Sequence, residues 1–353
     1  MASNHALDTT DRLLLKEVMK NDYPFGGKVL LLGGDFRQCL SVLPHAPQAA
    51  IIQNSIKFAK SWDLFKKLPL TMNMRSNSDP EYSEWLLKLG NGTLSDDNGL
   101  SEGVVEIPLS MICKGSLVDW VFGKKIQPGN ISEFSERAIL CPKNSDVDKL
   151  NDDVLNIVEG NDKTYLSVDS VVADNRESAN NFPTEFLNSL SPSGMPPHKL
   201  RLKIGAIIML LRNLNTRRGL CNGTRLEVLE LKNTVIIAKS LTGSSKDEIH
   251  VIPRIDLAPS QTGLPFQLRR RQFPVKLAFA MTINKSQGQT LKRVGIFLPE
   301  PAFAHGQLYV ACSRVRERTD VKLKIIDGPL QGELKNDGKI YTRNVVYKEI
   351  FDM

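Results

Sequence analysis

Residues 273–299 read FPVKLAFAMTINKSQGQTLKRVGIFLP, and their alternation decides the fold class. An apolar run, 273–281, gives way to nine residues from Thr282 to Thr290, eight of them polar, glycine or hydroxyl-bearing. A second apolar run follows at 293–299. The spacing predicts strand 273–281, helix 285–291 and strand 293–299. Two strands joined through a helix lie parallel. Downstream the alternation continues, with a helix predicted over 305–316 and a strand over 321–326.

The same alternation is found upstream. Val29-Leu30-Leu31-Leu32 is apolar throughout, the signature of a parallel strand buried on both faces, and it ends in Gly33-Gly34-Asp35. Leu68–Met74 is a second strand candidate. A helix follows, with Asp79 as N-cap, Pro80 in the first turn, Tyr82, Leu86 and Leu89 on one face, and Gly90-Asn91-Gly92 as its stop. Residues 7–20 form an amphipathic pattern through Leu7, Leu14 and Val18. A second α/β unit begins at Arg137-Ala138-Ile139-Leu140; Asn144 or Ser145 can cap a helix facing inward through Val147, Leu150, Val154 and Val158. From 163 to 260 the period shortens to that of strands, at 164–172, 203–211, 224–231, 234–240 and 248–253, with 174–198 as a loop. The expected fold is therefore α/β with parallel sheets, interrupted by a β-rich insertion, and with function at the carboxyl ends of the strands.

The 353 residues predict two or three structural units. The net charge of +7 favours an acidic partner such as nucleic acid without demanding one. Five scattered cysteines, with no C-x-x-C, argue against a disulfide framework or a zinc site and fit a reducing compartment. No apolar run reaches the length of a membrane span, and the first residues lack the pattern of a secretory signal.

Four segments could carry chemistry. In Gly33-Gly34-Asp35-Phe36-Arg37-Gln38 the glycines turn the chain at a strand end, and Gln38 is a neutral group that can bond a phosphate oxygen or a water. Asn73-Met74-Arg75 places an arginine after a strand. Thr282–Thr290 is a strand-to-helix junction that offers N–H groups, Lys285, Ser286 and Gln287 to an anion. His305-Gly306-Gln307-Leu308-Tyr309-Val310-Ala311-Cys312-Ser313-Arg314-Val315-Arg316 ends in arginines behind small residues that allow close packing. Singly, the first, second and fourth also read as surface turns or helix ends. No G-x-x-x-x-G-K-[ST] occurs in these residues, and the one Asp-Glu pair after the start, Asp247-Glu248, does not follow an apolar strand.

In order, PFGGKVLLLGGDFRQ, LTMNMRS, ILCPKNSDVDKLND, TYLSVDS, LRNLNTRRGLCNGTRL, FAMTINKSQGQTL and YVACSRVR resemble the petite integration frequency (Pif) helicases of superfamily one, in particular their Helitron-like branch. The resemblance implies two RecA-like domains, the first incomplete, with a small β-barrel-like insertion in the second. Its segments would be 1–91 for the first domain, 92–135 connecting, 136–162 and 270–330 for the second, 163–269 for the insertion and 331–353 as a tail. It implies ATP hydrolysis with Mg²⁺, driving 5′-to-3′ movement on single-stranded DNA and unwinding at duplex junctions. The expected settings are repair, recombination, telomere maintenance or mobile-element replication, in the nucleus or, for some of the family, the mitochondrion. A monomer with no membrane partner is expected.

Residue by residue, the resemblance makes Gln38 a phosphate sensor and Arg75 and Arg314 contacts of the terminal phosphate. It places Gly34, Asp35, Gln287 and Gly288 at the nucleotide, and Thr282, Lys285, Ser286 and Thr290 in the relay to DNA. No residue is expected to ligate a metal. MASNHAL resembles the segment that follows the family's phosphate loop and acidic Mg²⁺ pair. A chain starting past those groups is expected not to turn over ATP by itself, and its alternative role is non-catalytic binding of single-stranded DNA.

Overall fold

A computed structural model describes residues 2–43, 45–94, 103–127, 131–172, 182–243, 245–259, 264–335 and 337–351. The chain divides into two compact units: Met1–Lys114 with Ser286–Lys292 and Ile296–Met353, and Gly115–Lys285 with Arg293–Gly295.

The second unit holds the parallel pairing predicted from the α/β pattern. Strand Ala280–Thr282 runs parallel to Arg137–Cys141, with Ala280 opposite Ile139 and Thr282 opposite Cys141. Ile139, Leu140, Ala280 and Met281 are buried, as an all-apolar strand requires. Helix Asn144–Ile157 buries Val147, Leu150 and Val154 at helical spacing. Its Asn151 fastens it to the sheet, donating to the Ala280 carbonyl at 3.1 Å and accepting the Ala280 N–H at 2.8 Å.

The β-rich insertion is built as small antiparallel sheets. Five strands lie in the order Val275–Leu277, Ile207–Leu210, Arg225–Leu231, Val235–Ser240, Ile249–Pro253. A bulge between Val228 and Glu230 bends the long strand. Three more strands lie in the order Ile255–Leu257, Gln267–Gln272, Val168–Val172, and Lys163–Leu166 pairs with Lys199–Leu202. The strands Ile255–Leu257 and Gln267–Gln272 are not among the runs expected from sequence. Gln-Leu-Arg-Arg-Arg-Gln has too few apolar residues to signal a strand, yet its Leu268, Arg270 and Gln272 face inward.

The first unit contains helix Asn4–Arg12, capped by Ser3, and a π-helical turn Leu13–Val18. Leu7 packs with Phe25 and Ala59. Helix Pro80–Asn91 follows its sequence signals closely. The Asp79 carboxylate accepts the Tyr82 N–H, Tyr82, Leu86 and Leu89 are buried, and Gly92 ends it in the left-handed region at φ +71°. Strand Val104–Ile107, within the stretch taken as connecting, pairs antiparallel with Ile340–Arg343 from the weakly patterned tail.

Several expectations need correction. Val29–Leu32 and Leu68–Met74 are not strands: residues 28–35 and 66–73 have no regular structure, with Val29 100% and Leu70 99% exposed. A doubly buried strand needs neighbours to take its N–H and C=O groups, and among the described residues no strand pairs with either run. The helix expected over 285–291 is a single 3₁₀ turn, Ile283–Ser286, followed by turns. The 305–316 helix is shorter, Gln307–Cys312, because Gly306 at φ +71° sets its start. Within the 174–198 loop, Thr184–Ser189 is helical over buried Leu187; residues 174–181 of that loop lie outside the described residues. Val18, taken as part of the first helix's apolar face, is exposed.

Candidate functional site

In the first unit, residues from three sequence motifs converge on helix Gln307–Cys312 and the turn behind it. Arg314 lies just past the helix end, where unpaired carbonyls collect. Its Nε donates to the Val310 carbonyl at 2.8 Å, its Nη1 to those of Ser286 and Gln289 at 3.3 and 3.2 Å, and its Nη2 to the Ser313 hydroxyl at 2.7 Å. Arg75 joins the same turn. Its Nη1 donates to the Ser313 carbonyl at 2.8 Å and its Nε to Thr290 Oγ1 at 3.2 Å.

Every one of these acceptors is neutral. Among the described residues neither arginine has a carboxylate within ion-pair distance. Burial and, after it, the nearby Arg75 charge lower the Arg314 pKa to about 10, so Arg314 remains cationic at neutral pH. Two neighbouring guanidiniums whose hydrogen-bond partners are all neutral, with the Asp35 carboxylate acting on Arg314 less than Arg75 does, form a locus that an anion would stabilise. Arg75 also lines an open groove of about 520 Å³ with Thr290, Arg316, Asn77 and Ser78.

The Asp35–Gln38 turn is held against the same helix. Tyr309 Oη donates to Asp35 Oδ2 at 3.0 Å, and the Arg37 N–H donates to Asp35 Oδ1 at 3.0 Å. Arg37 Nε donates to Asn91 Oδ1 at 2.7 Å, tying the turn to helix Pro80–Asn91. The buried His305 bridges by Nε2 to the Phe36 carbonyl and by Nδ1 to the Tyr347 N–H, both at 2.8 Å. A Cβ on Gly306 would stand 2.2 Å from the Arg37 carbonyl oxygen, so only glycine permits this approach. Gln38 is half-buried at the end of the turn, its N–H bonded to the Asp35 carbonyl at 3.1 Å.

The structure thus gathers Arg75, Arg314, Ser286 and Thr290 directly, with Asp35 and Gln38 carried on a turn locked to the same helix. Asp35 already has both carboxylate oxygens engaged within the protein. Gly34 is exposed, with open space where a side chain would project. Gln287 is half-buried, and Gly288 is exposed at φ +78°. Thr282 and Lys285 belong to the other unit, whose boundary falls in the chain between Lys285 and Ser286. Tyr309, His305 and Asn91 were not singled out from sequence as holding the turn. Each lies far along the chain from residues 35–37, and no spacing rule pairs them. Among the described residues no three His, Cys, Asp or Glu side chains gather where they could hold a metal ion.

Residues 1–99 match the model of the PIF1-like helicase family, and residues 185–231 match the model of the DNA helicase Pif1 2B domain. Two stretches of the chain are thus similar to parts of PIF1-like helicases. The chain is 28% identical over 318 residues to the ATP-dependent DNA helicase PIF1 of Xenopus laevis, covering 88% of this chain and 43% of that protein. It is also 28% identical over 331 residues to the human ATP-dependent DNA helicase PIF1, covering 91% and 44%. The chain therefore spans less than half the length of these relatives. Among solved structures, Bacteroides Pif1 bound to single-stranded DNA superposes with a TM-score of 0.64 at 26% identity, covering 93% of this chain and 69% of that one. The Bacteroides enzyme in complex with ADP-AlF3 and single-stranded DNA gives the same TM-score at 25% identity, covering 93% and 71%. The parallel-sheet α/β fold and the small β-rich unit are those of the RecA-like and 2B parts of Pif1 helicases. The motifs that carry the resemblance in the sequence include those that meet at Arg314.

Proposed function

We propose that this chain supplies the phosphate-sensing and coupling part of an ATP-driven motor that moves 5′ to 3′ along single-stranded DNA and opens duplex junctions. The observation that carries this reading is the Arg75–Arg314 pair, two guanidiniums in one compact unit with neutral partners only. Phosphoryl transfer spreads negative charge over the terminal oxygens, and catalysis is mostly positioning and electrostatic stabilisation. Arg75 and Arg314 are the permanent cations for that charge, and Gln38 is the neutral group that reports whether the phosphate is there. Ser286 and Thr290, bonded to these arginines by a carbonyl and a hydroxyl, pass the arginines' position into the 282–290 segment. Thr282 and Lys285 lie at the other end of that segment, where the resemblance puts the relay to DNA. Work on nuclear DNA, in repair, recombination, telomere maintenance or mobile-element replication, fits these parts.

The second reading, binding of single-stranded DNA without turnover, is favoured by one feature of the sequence. A triphosphate needs a backbone cradle and a hydroxyl for Mg²⁺, and G-x-x-x-x-G-K-[ST] is not found in these 353 residues. The polypeptide of these residues is expected to bind labelled single-stranded DNA at 50 mM salt and to release it steeply by 200 mM. In the same preparation it should show no DNA-stimulated phosphate release. Turnover would exclude the non-catalytic reading; no binding at 50 mM would exclude both.

A further inference from the structure

The second unit contains a pocket of about 430 Å³ that the arginine site does not explain. Four basic and two acidic side chains line it, so it carries a net positive charge. Lys276 leaves strand Val275–Leu277 and Lys285 the 3₁₀ turn Ile283–Ser286; both are partly buried and near enough for Lys276 to lower the Lys285 pKa. Asp148, on helix Asn144–Ile157, is the carboxylate that acts on both. With Arg201 paired to Asp162 at 3.1 Å, the lining has Lys199, Lys276 and Lys285 against Asp148 and Asp152, a net positive charge that an incoming anion can neutralise.

Other residues of the lining have different chemistry. Pro192, Met195 and Pro197 present apolar faces from the 191–197 loop. That loop is held rigidly. Buried Arg270 forms an ion pair with Asp169 at 2.6 Å and donates to the Pro196 carbonyl at 3.0 Å. Arg212 donates to the Gly194 carbonyl at 3.0 Å. A pocket lined by both apolar and cationic groups fits a ligand with one apolar part and one anionic part. The volume is at the small end of the roughly 300–1,000 Å³ range of small-ligand sites, room for one nucleotide and not for a duplex.

We propose that this pocket receives a single nucleotide of a DNA strand, its phosphate on Lys276 and Lys285 and its base against the Pro192–Pro197 wall. The proposal rests on the strand-binding reading above and adds a defined subsite to it. Lys285, assigned to the relay by resemblance, then has a specific partner in this unit, and Lys276 becomes a second contact that the motif does not contain.

The test uses the 353-residue polypeptide, 5-iododeoxyuridine-labelled (dT)8 and free dTMP at 50 mM salt. Lys276→Met keeps the side-chain stem and removes the charge. Ser193→Glu, at an exposed position on the pocket lining, adds an opposing charge without touching the core. Each variant is expected to weaken (dT)8 binding about tenfold, as loss of a charge-assisted contact does. Lys276→Met should also lower the slope of log affinity against log salt by about 0.7, one phosphate's share. Photocrosslinks should map to 191–201, and melting temperatures should be unchanged. Wild-type binding of (dT)8 that neither variant weakens, with crosslinks elsewhere, overturns the pocket and leaves the strand reading intact. If (dT)8 does not bind, dTMP decides: binding lost in both variants supports a pocket for free nucleotides in place of a strand, and no dTMP binding overturns it.

Discussion

Arg314 directs its guanidinium at three carbonyls and a hydroxyl, all behind the end of one short helix. Replacing it with alanine removes four hydrogen bonds from a charged donor, although the Val310 carbonyl keeps the Ser313 hydroxyl and the Ser286 carbonyl keeps the Gln289 N–H. Arg314→Ala is expected to destabilise the folded chain by about 2–3 kcal/mol, read by urea unfolding. Arg314→Lys should recover only part of this, because an ammonium lacks the planar fork. His305 gives a pH dependence. Its Nδ1 accepts the Tyr347 N–H and its Nε2 faces the Phe36 carbonyl, an arrangement that requires the neutral ring. Burial lowers its pKa below the ordinary 6.5, against the opposing pull of the Phe36 carbonyl, Asp35 and Glu349. The unfolded chain therefore binds the proton more readily. Stability is present above pH 6.5 and declines as the pH falls below it. A melting temperature that drops between pH 7.5 and 5.5 in the wild type, and drops less in His305→Gln, is the expected pattern. An identical drop in both would assign the effect to other groups.

At the scale of elements, the helix Pro80–Asn91 links sequence, capping and site. The Asp79 carboxylate accepts the Tyr82 N–H at 3.0 Å and the Arg318 N–H at 3.1 Å. The helix it starts carries Tyr82, whose hydroxyl donates to the Cys312 carbonyl at 2.8 Å, and Asn91, which holds Arg37. Asp79→Ala is expected to cost about 1–2 kcal/mol in a denaturant titration. Asp79→Asn, which keeps an acceptor, should cost less. Gly306→Ala tests the other contact. With φ +71° and the Arg37 carbonyl 2.2 Å from the added carbon, the turn bearing Gln38 must move. The variant should melt lower than wild type; an unchanged melting temperature would show that the turn tolerates displacement.

For the whole molecule, the exposed apolar runs are the main liability. Val29, Leu31, Leu70 and Met72 face solvent in segments without regular structure. Contiguous exposed apolar residues promote self-association. The pair Leu31→Lys and Leu70→Lys is expected to raise the concentration at which the polypeptide stays monodisperse in light scattering, with no fall in melting temperature. A fall would mean these side chains are packed in solution.

The Pro80–Asn91 helix, the Asn144–Ile157 helix and the strands around Arg137–Cys141, Ala280–Thr282 and Arg225–Ser240 were legible because caps, period and branching agree locally. The motifs containing Gln38, Arg75, Lys285 and Arg314 were legible as residue types suited to phosphate. Their meeting was not. The contacts of Arg75 with Ser313, Tyr309 with Asp35 and His305 with Phe36 span 238, 274 and 269 positions, and local propensity contains no term for such distances. The runs at 29–32 and 68–74 show the converse limit. By itself the sequence determined their apolar character, the chain's family motifs and the caps of its helices, which depend on neighbours within a few residues. Whether an apolar run becomes a strand, whether Arg270 is buried on an ion pair and whether two arginines share one turn were decided only in the tertiary structure. Pairing, burial and charge proximity are properties of residues brought together from far along the chain.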